Sequence, residues 1–213
     1  MQRMTYGDPA SKNVLIQPVD AHDLAVIEGE VAAIEAETKD FFLIALRVGS
    51  WNRDLSPWTA PPVFGSEPFG CGARDTLDAI LPLCTDRSKT YDIGGYSLAG
   101  LFALWAAHET DAFAGAAAVS PSMWFPGFAE YLKTHPIRAK HVYLSLGDRE
   151  ERTRNPVMSA VGDRIREAHA LLCANGTDCV LEWNPGNHFK DPELRTAKGF
   201  VRLLKRGETI PEL

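Results

Sequence analysis

Apolar and polar positions along the chain alternate between strand-like and helix-like periods. "NVLIQPV" (13–19) reads as a strand, and "AHDLAVIEGEVAAIEAETK" after it places Leu24, Ile27, Val31 and Ile34 on one helical face. "FFLIALRV" (41–48) is a continuous apolar run, the pattern of a strand buried on both faces. A long polar stretch rich in Pro and Trp separates it from a helix near 73–84. "YDIGGYS" predicts a third strand, with "LAGLFALWAAHE" as its helix. "FAGAAAVS" (113–120) and "HVYLSLG" (141–147) give the fourth and fifth strands. The next helix is punctuated by Asn155 as cap, Pro156 in the first turn and Gly176 past the end. "CVLEW" (179–183) is the sixth strand, and Asp191 and Pro192 open a last helix that Gly207 closes.

Strands alternating with helices mean βαβ units with right-handed crossovers. The predicted fold class is therefore α/β: a mostly parallel sheet of about six strands with helices on both faces. There is no internal repeat, low-complexity tract or charged linker, so residues 1–213 are read as a single domain. In such sheets ligand sites gather at the carboxyl ends of the strands. Chemistry is expected in the loops that leave strands.

Composition narrows the picture. Apolar residues make up 45% of 213 and charged residues 23%, enough for one well-buried core. A formal charge of −6 and the lack of any basic run argue against a nucleic-acid partner. "MQRMTYGDPASKN" lacks the apolar core of a signal peptide, and no stretch approaches membrane-spanning length, so a cytoplasmic location is the default expectation. Oligomeric state stays open. The cysteines at 71, 84, 173 and 179 show no C-x-x-C spacing, so a zinc site or a thioredoxin-like motif is not expected. Cys173 and Cys179 flank a helix-to-strand turn and could pair, but reduced thiols are favoured in a cytosolic setting.

One stretch concentrates chemistry. In "YDIGGYSLAG" a serine sits where an apolar strand gives way to a helix, as in the nucleophile elbow G-x-S-x-G, with Ala99 in place of the second glycine. The elbow forces its serine into an unfavourable backbone conformation and needs small residues two before and two after it. Gly95 meets the first demand, and Ala99 adds a single methyl group. Gly100 removes a Cβ where the helix must pass close to neighbouring strands. Ser97 could instead merely cap the helix. A phosphate-binding turn fits poorly, since no "GK[ST]" follows.

A serine nucleophile needs a base. Where an elbow carries a triad, the chain order is Ser, acid, His. Of six histidines only His188, in "NPGNHFKDPE" after the last strand, is placed to hang over the strand ends. The loop after the fifth strand, "GDREERTRN", offers the acid. Glu150 is favoured because a short turn lets it point at His188; Asp148 is the runner-up and a Ser–His dyad the third possibility. An oxyanion needs two backbone N–H donors. The amide of Leu98 is one, and Trp51, with Asn52 next, is the choice for the other in "GSWNRDLSPW". Arg53, Trp58, Met123 and Trp124 are the candidate cleft-lining residues, although loop aromatics can equally plug the core. Arg53 also hints at an anionic group on the substrate.

"WNRDLSPW", "GGYSLAGLFALWA", "AVSPSMWF", "LSLGDREERTRN" and "GNHF" together resemble the α/β-hydrolase superfamily, more narrowly esterases of the esterase D and enterochelin-esterase type. That resemblance spans residues 41 to 190. It implies a serine hydrolase acting on small-molecule carboxylic esters through Ser97 and His188, with no metal or organic cofactor. The chain is short for the group, with no extra N-terminal domain and no evident lid insertion, which implies a compact, open site. Two further readings use the same scaffold: a non-catalytic binding protein, and an acyltransferase with the same residues.

Overall fold

The computed structural model describes residues 1–206; the expected closure of the last helix at Gly207 lies outside them. The strands are β1 (Gln2–Gly7), β2 (Asn13–Val19), β3 (Phe42–Arg47), β4 (Thr90–Tyr96), β5 (Gly115–Val119), β6 (His141–Gly147) and β7 (Asp178–Asn184). The helices are α1 (Ala21–Glu37), α2 (Trp51–Asp54), α3 (Ala73–Ile80), α4 (Leu98–Glu109), α5 (Phe128–Thr134), α6 (Val161–Ala174) and α7 (Pro192–Leu204). The sheet runs β1-β3-β2-β4-β5-β6-β7, with every neighbouring pair parallel except β1 against β3.

Among the described residues seven strands stand where about six were expected. β1 is the addition: an edge strand whose Met4 and Tyr6 lean on the core while its other side faces water. Its short, polar alternation "QRMTYG" carries too little apolar signal to stand out by itself. The central strands β4 and β5 are buried almost throughout, as strands covered on both faces must be. α1 and α7 cover one face, while α3, α4 and α6 cover the other.

Local sequence explains the main elements. Asp20 caps α1 by accepting from the N–H groups of His22 and Asp23, and Asp23 accepts in turn from the Asp20 N–H, a reciprocal box. α4 is apolar all round and is buried from Leu98 to His108, which is where such a helix must go. α6 buries Val161, Ile165, Ala168 and Leu172 on one stripe. It begins later than expected. The Asn155 side chain accepts from the Val157 and Met158 N–H groups, but these lead into a 3-10 turn ahead of the helix. The 73–84 helix likewise ends at Ile80 and passes into a 3-10 turn over Pro82.

α7 lies tight against the middle of the sheet. A Cβ on Gly94 would meet the Phe200 ring at 2.6 Å, so only a glycine lets this helix approach β4 so closely. Its end is fastened to the start of the same strand: Arg206 donates to both carboxylate oxygens of the fully buried Asp92, at 2.9 Å for the Nη1–Oδ1 bond. The four cysteines are free thiols, Cys71 and Cys173 exposed.

Candidate active site

β4 ends at Tyr96 and α4 starts at Leu98, so the whole change of direction falls on Ser97. Its φ of 58° and ψ of −119° are a strained conformation for a residue with a side chain. Three backbone hydrogen bonds hold it there: its N–H donates to Val119, and its carbonyl accepts from Leu101 and Ser122. Gly95 and Gly100 let the chain close up, since a Cβ on Gly100 would meet the Gly95 carbonyl at 2.9 Å. The hydroxyl makes no capping bond to α4. It points instead to His188, with Ser97 Oγ 3.1 Å from Nε2.

His188 comes from the loop between β7 and α7, which turns at Gly186 with φ 111°. Its Nδ1 lies 2.7 Å from Glu150 Oε2. Glu150 occupies a 3-10 turn after β6, with its side chain almost wholly buried. Its other oxygen accepts from Ser120 Oγ at 2.7 Å, from the Gly147 N–H at 2.7 Å and from Arg195 Nη1 at 3.3 Å. Burial pushes the Glu150 carboxyl up, but the hydrogen bond and charge of His188, with the bonds from Ser120 and Gly147, hold it below its ordinary value. An ionised carboxylate only accepts, so Nδ1 carries the imidazole proton and Nε2 is left to accept from the serine. Such a chain can deprotonate a hydroxyl and stabilise the imidazolium that results.

The other candidates separate. Asp148 is exposed and accepts from the Gly186 N–H at 2.8 Å, so it ties down the histidine loop without touching the imidazole. Leu98 opens α4, and its N–H is one of those with no acceptor inside the helix. Trp51 opens the short α2 in the loop after β3, a strand that is two places from β4. β2 is the direct neighbour, and its loop runs through Asp20 and Ala21. Asn52 is buried, its amide donating to the Glu67 carbonyl. Arg53 is exposed and spends its Nε on Asp54 at 2.8 Å, beside a surface hollow of about 420 Å³ shared with Met1, Cys71 and Asp75.

The expected cleft wall is largely a plug. Met123 is buried in the core, not lining an open face. Trp58 donates its Nε1–H to Pro126 at 2.8 Å and packs on Phe125, Phe128 and Tyr131, joining the loops after β3 and β5. Trp124 remains half-buried, edge-on to the exposed Phe64 at 5.8 Å. Large flat rings between two long loops bury more area by stacking on each other than by facing water. Phe189, beside the histidine, is 85% exposed.

A scan against protein-family models finds no match, and neither does a search of curated proteins. Solved structures do match. The siderophore hydrolase EstA from Aspergillus nidulans superposes with a TM-score of 0.61 at 19% identity, over 92% of this chain and 84% of that one. The enterobactin esterase FES from Shigella flexneri gives a TM-score of 0.65 at 15% identity, over 95% of this chain and 54% of that one. Acyl-protein thioesterase 2 from Zea mays gives 0.59 at 13% identity, over 96% and 97%.

The chain has the α/β-hydrolase fold.

Within this α/β-hydrolase sheet, Ser97, Glu150 and His188 all stand in loops at the carboxyl ends of parallel strands, where open α/β sheets bind ligands. Among the described residues no large lid is evident. Among the described residues no helix is long and apolar enough to cross a membrane. No group of three or more His, Cys, Asp or Glu side chains among them is arranged to hold a metal ion.

Sequence reasoning missed four side chains around the site: Tyr96, Ser120, Ser122 and Arg195. Ser120 has a φ of 42°, an unusual backbone for serine that gives no sign in the sequence. Arg195 did leave a signal, because it stands four residues before Gly199 and eight before Leu203 on the buried stripe of α7. A charge on such a stripe needs a buried partner.

Proposed function

We propose that this protein is a serine hydrolase of small-molecule carboxylic esters. Ser97 Oγ attacks the ester carbonyl while His188 Nε2 takes its proton. Collapse of the tetrahedral intermediate expels the alcohol, which receives that proton from His188, and leaves an acyl group on Ser97. A water then attacks, again deprotonated by His188, and the acid departs as Ser97 regains its proton. Glu150 fixes the imidazole tautomer and offsets the charge on the imidazolium.

The observation that carries this reading is the continuous hydrogen-bonded line from Ser97 Oγ through His188 to Glu150, at 3.1 Å and 2.7 Å, starting on a backbone-strained residue. A serine that only capped a helix needs neither the strain nor the imidazole. For the oxyanion, the Leu98 N–H is one donor. The strand order favours the Asp20–Ala21 turn as source of the second, one strand from the elbow, over Trp51, two strands away. Neighbours described as a siderophore hydrolase and an enterobactin esterase support an ester as the substrate class.

The test is hydrolysis of p-nitrophenyl acetate and butyrate by the wild type and by Ser97→Ala. A drop of about 10⁴-fold or more in turnover is expected, together with loss of fluorophosphonate labelling. Equal rates in the two proteins would end the proposal.

A further inference from the structure

Beneath the hydroxyl–imidazole–carboxylate line lies a buried cation that the reaction itself does not touch. Arg195 closes the first turn of α7 and is 4% exposed. Its Nη2 donates to the Pro185 carbonyl at 3.0 Å, at the start of the histidine loop. Its Nη1 reaches Tyr96 Oη at 3.2 Å and Glu150 Oε1 at 3.3 Å. Tyr96, the residue before the elbow, donates its own O–H to the His188 carbonyl at 2.7 Å and lays its ring against the imidazole, centroids 5.1 Å apart. The bonds close a ring: His188 side chain, Glu150, Arg195, Tyr96 and the His188 backbone.

We propose that Arg195, with Tyr96, is a positioning pair that keeps His188 in register with Ser97 and keeps Glu150 ionised while the imidazole is neutral. This rests on the serine-hydrolase reading for its consequence but not for its test. A carboxylate as buried as Glu150 beside a neutral ring would have neutral donors, the Ser120 hydroxyl and the Gly147 N–H, but no counter-charge, and would favour a proton on the pair. Arg195 supplies the compensation from the far side of the carboxylate. His188 is thus left free to stay unprotonated and accept from the serine. Geometry adds a second role: the loop turns at Gly186, and the two arms of Arg195 hold that loop's start and the acid in one rigid unit.

The charged neighbours are few. Asp148 accepts from the Gly186 N–H, Lys190 lies along Gly186, Glu151 is paired with Arg166 of α6, and Arg149 is exposed beside Asp148. Asp191 and Glu193 stand at the start of α7. Among the described residues none of these forms an ion pair with Glu150 or His188; only Arg195 does so with Glu150, and Glu150 with His188.

The experiment follows the His188 ring by NMR through a pH titration, in the wild type, Arg195→Met and Arg195→Lys, with Arg195→Gln as the neutral variant should Arg195→Met not fold. Loss of the charge is expected to move the ring's titration upward, while Arg195→Lys, which keeps the charge, leaves it close to the wild type. The acidic limb of kcat/KM should move with it, and Tyr96→Phe should lower kcat about 10-fold with KM within about twofold. A folded neutral variant whose ring titrates as in the wild type overturns the proposal, even if its melting temperature falls, since that is what a purely structural arginine would give. If the ring shifts but the wild type hydrolyses no ester, the positioning pair stands and the hydrolase reading falls.

Discussion

A methyl placed on Gly95 would stand 2.6 Å from the Cβ of Ala99. The two residues face each other across the turn that lifts Ser97, and the space between them holds one methyl group, not two. This explains why a motif with alanine in its second glycine position still folds into an elbow. The sum of the two side chains matters, more than the identity of either.

Gly95→Ala should therefore cost about 1–3 kcal/mol through overpacking and lower ester hydrolysis at least tenfold by displacing the serine. Ala99→Gly should cost at most about 1 kcal/mol, the ordinary penalty for glycine in a helix, with activity within a few-fold of wild type. The double variant should recover only part of the loss, because the Ala99 backbone also lies 3.1–3.2 Å from the new Cβ. Urea unfolding and kcat/KM on one ester measure all three. Additive effects of the two changes would contradict the shared-space account.

The two acidic candidates should behave very differently. Glu150→Gln removes the charge that orients and stabilises the imidazole, and a loss of about 10³–10⁴-fold in kcat is expected. Asp148→Asn keeps an oxygen able to accept from Gly186 and should cost no more than a few-fold. Steady-state kinetics on p-nitrophenyl butyrate decide the matter; a large loss in Asp148→Asn alone would reverse the assignment.

The second core layer carries a pH dependence of its own. Glu30 of α1 is buried, with Gln17 Nε2 donating to its Oε2 at 3.1 Å, while Oε1 of each residue lacks a partner. Burial pushes the Glu30 carboxyl up to about 8, with the Gln17 bond opposing and Asp23 and Glu193 adding. The folded value lies above the unfolded one near 4.5, so the native chain keeps a proton that the unfolded chain has lost. The stability linked to Glu30 is therefore full below about pH 4.5 and declines as pH rises towards 8. Asp23 and Asp92, each raised to about 6 chiefly by burial, slope the same way. Glu150, held below its ordinary value, slopes oppositely: its contribution is present above the unfolded value and lost as pH falls through the folded one.

Glu30→Gln supplies an amide where the proton sits and can satisfy the Gln17 oxygen at any pH. The variant should match wild type near pH 5 and exceed it by roughly 1–4 kcal/mol at pH 8. Urea midpoints at the two pH values measure the gap. A difference that does not change with pH would show that Glu30 is not the titrating group.

Much of the fold was legible because long apolar runs and helix caps are local signals. β3, β4 and α4 announce themselves by long apolar runs, and the loops that carry Ser97, His188 and the acidic candidates Glu150 and Asp148 could be named because they leave strands, although nothing local separates the two carboxylates. What stayed hidden depends on packing between distant segments. β1 is a strand because β3 offers it an edge, not because "QRMTYG" insists on one. Asn155 leads into a 3-10 turn since the helix proper waits for the apolar stripe that begins at Val161. Trp58 turns inward because two segments far apart in sequence bring Phe125, Phe128 and Tyr131 against it. The bracing of the site by Tyr96 and Arg195 joins residues 99 positions apart, a distance over which no local pattern speaks.

The bond between Arg206 and Asp92 reaches from the tail of α7 to the root of the strand that runs up to Ser97. A chain trimmed back to Lys205 would strand a bare carboxylate at the base of the very strand that leads into the strained serine. Anyone shortening this protein has to leave residue 206 in place.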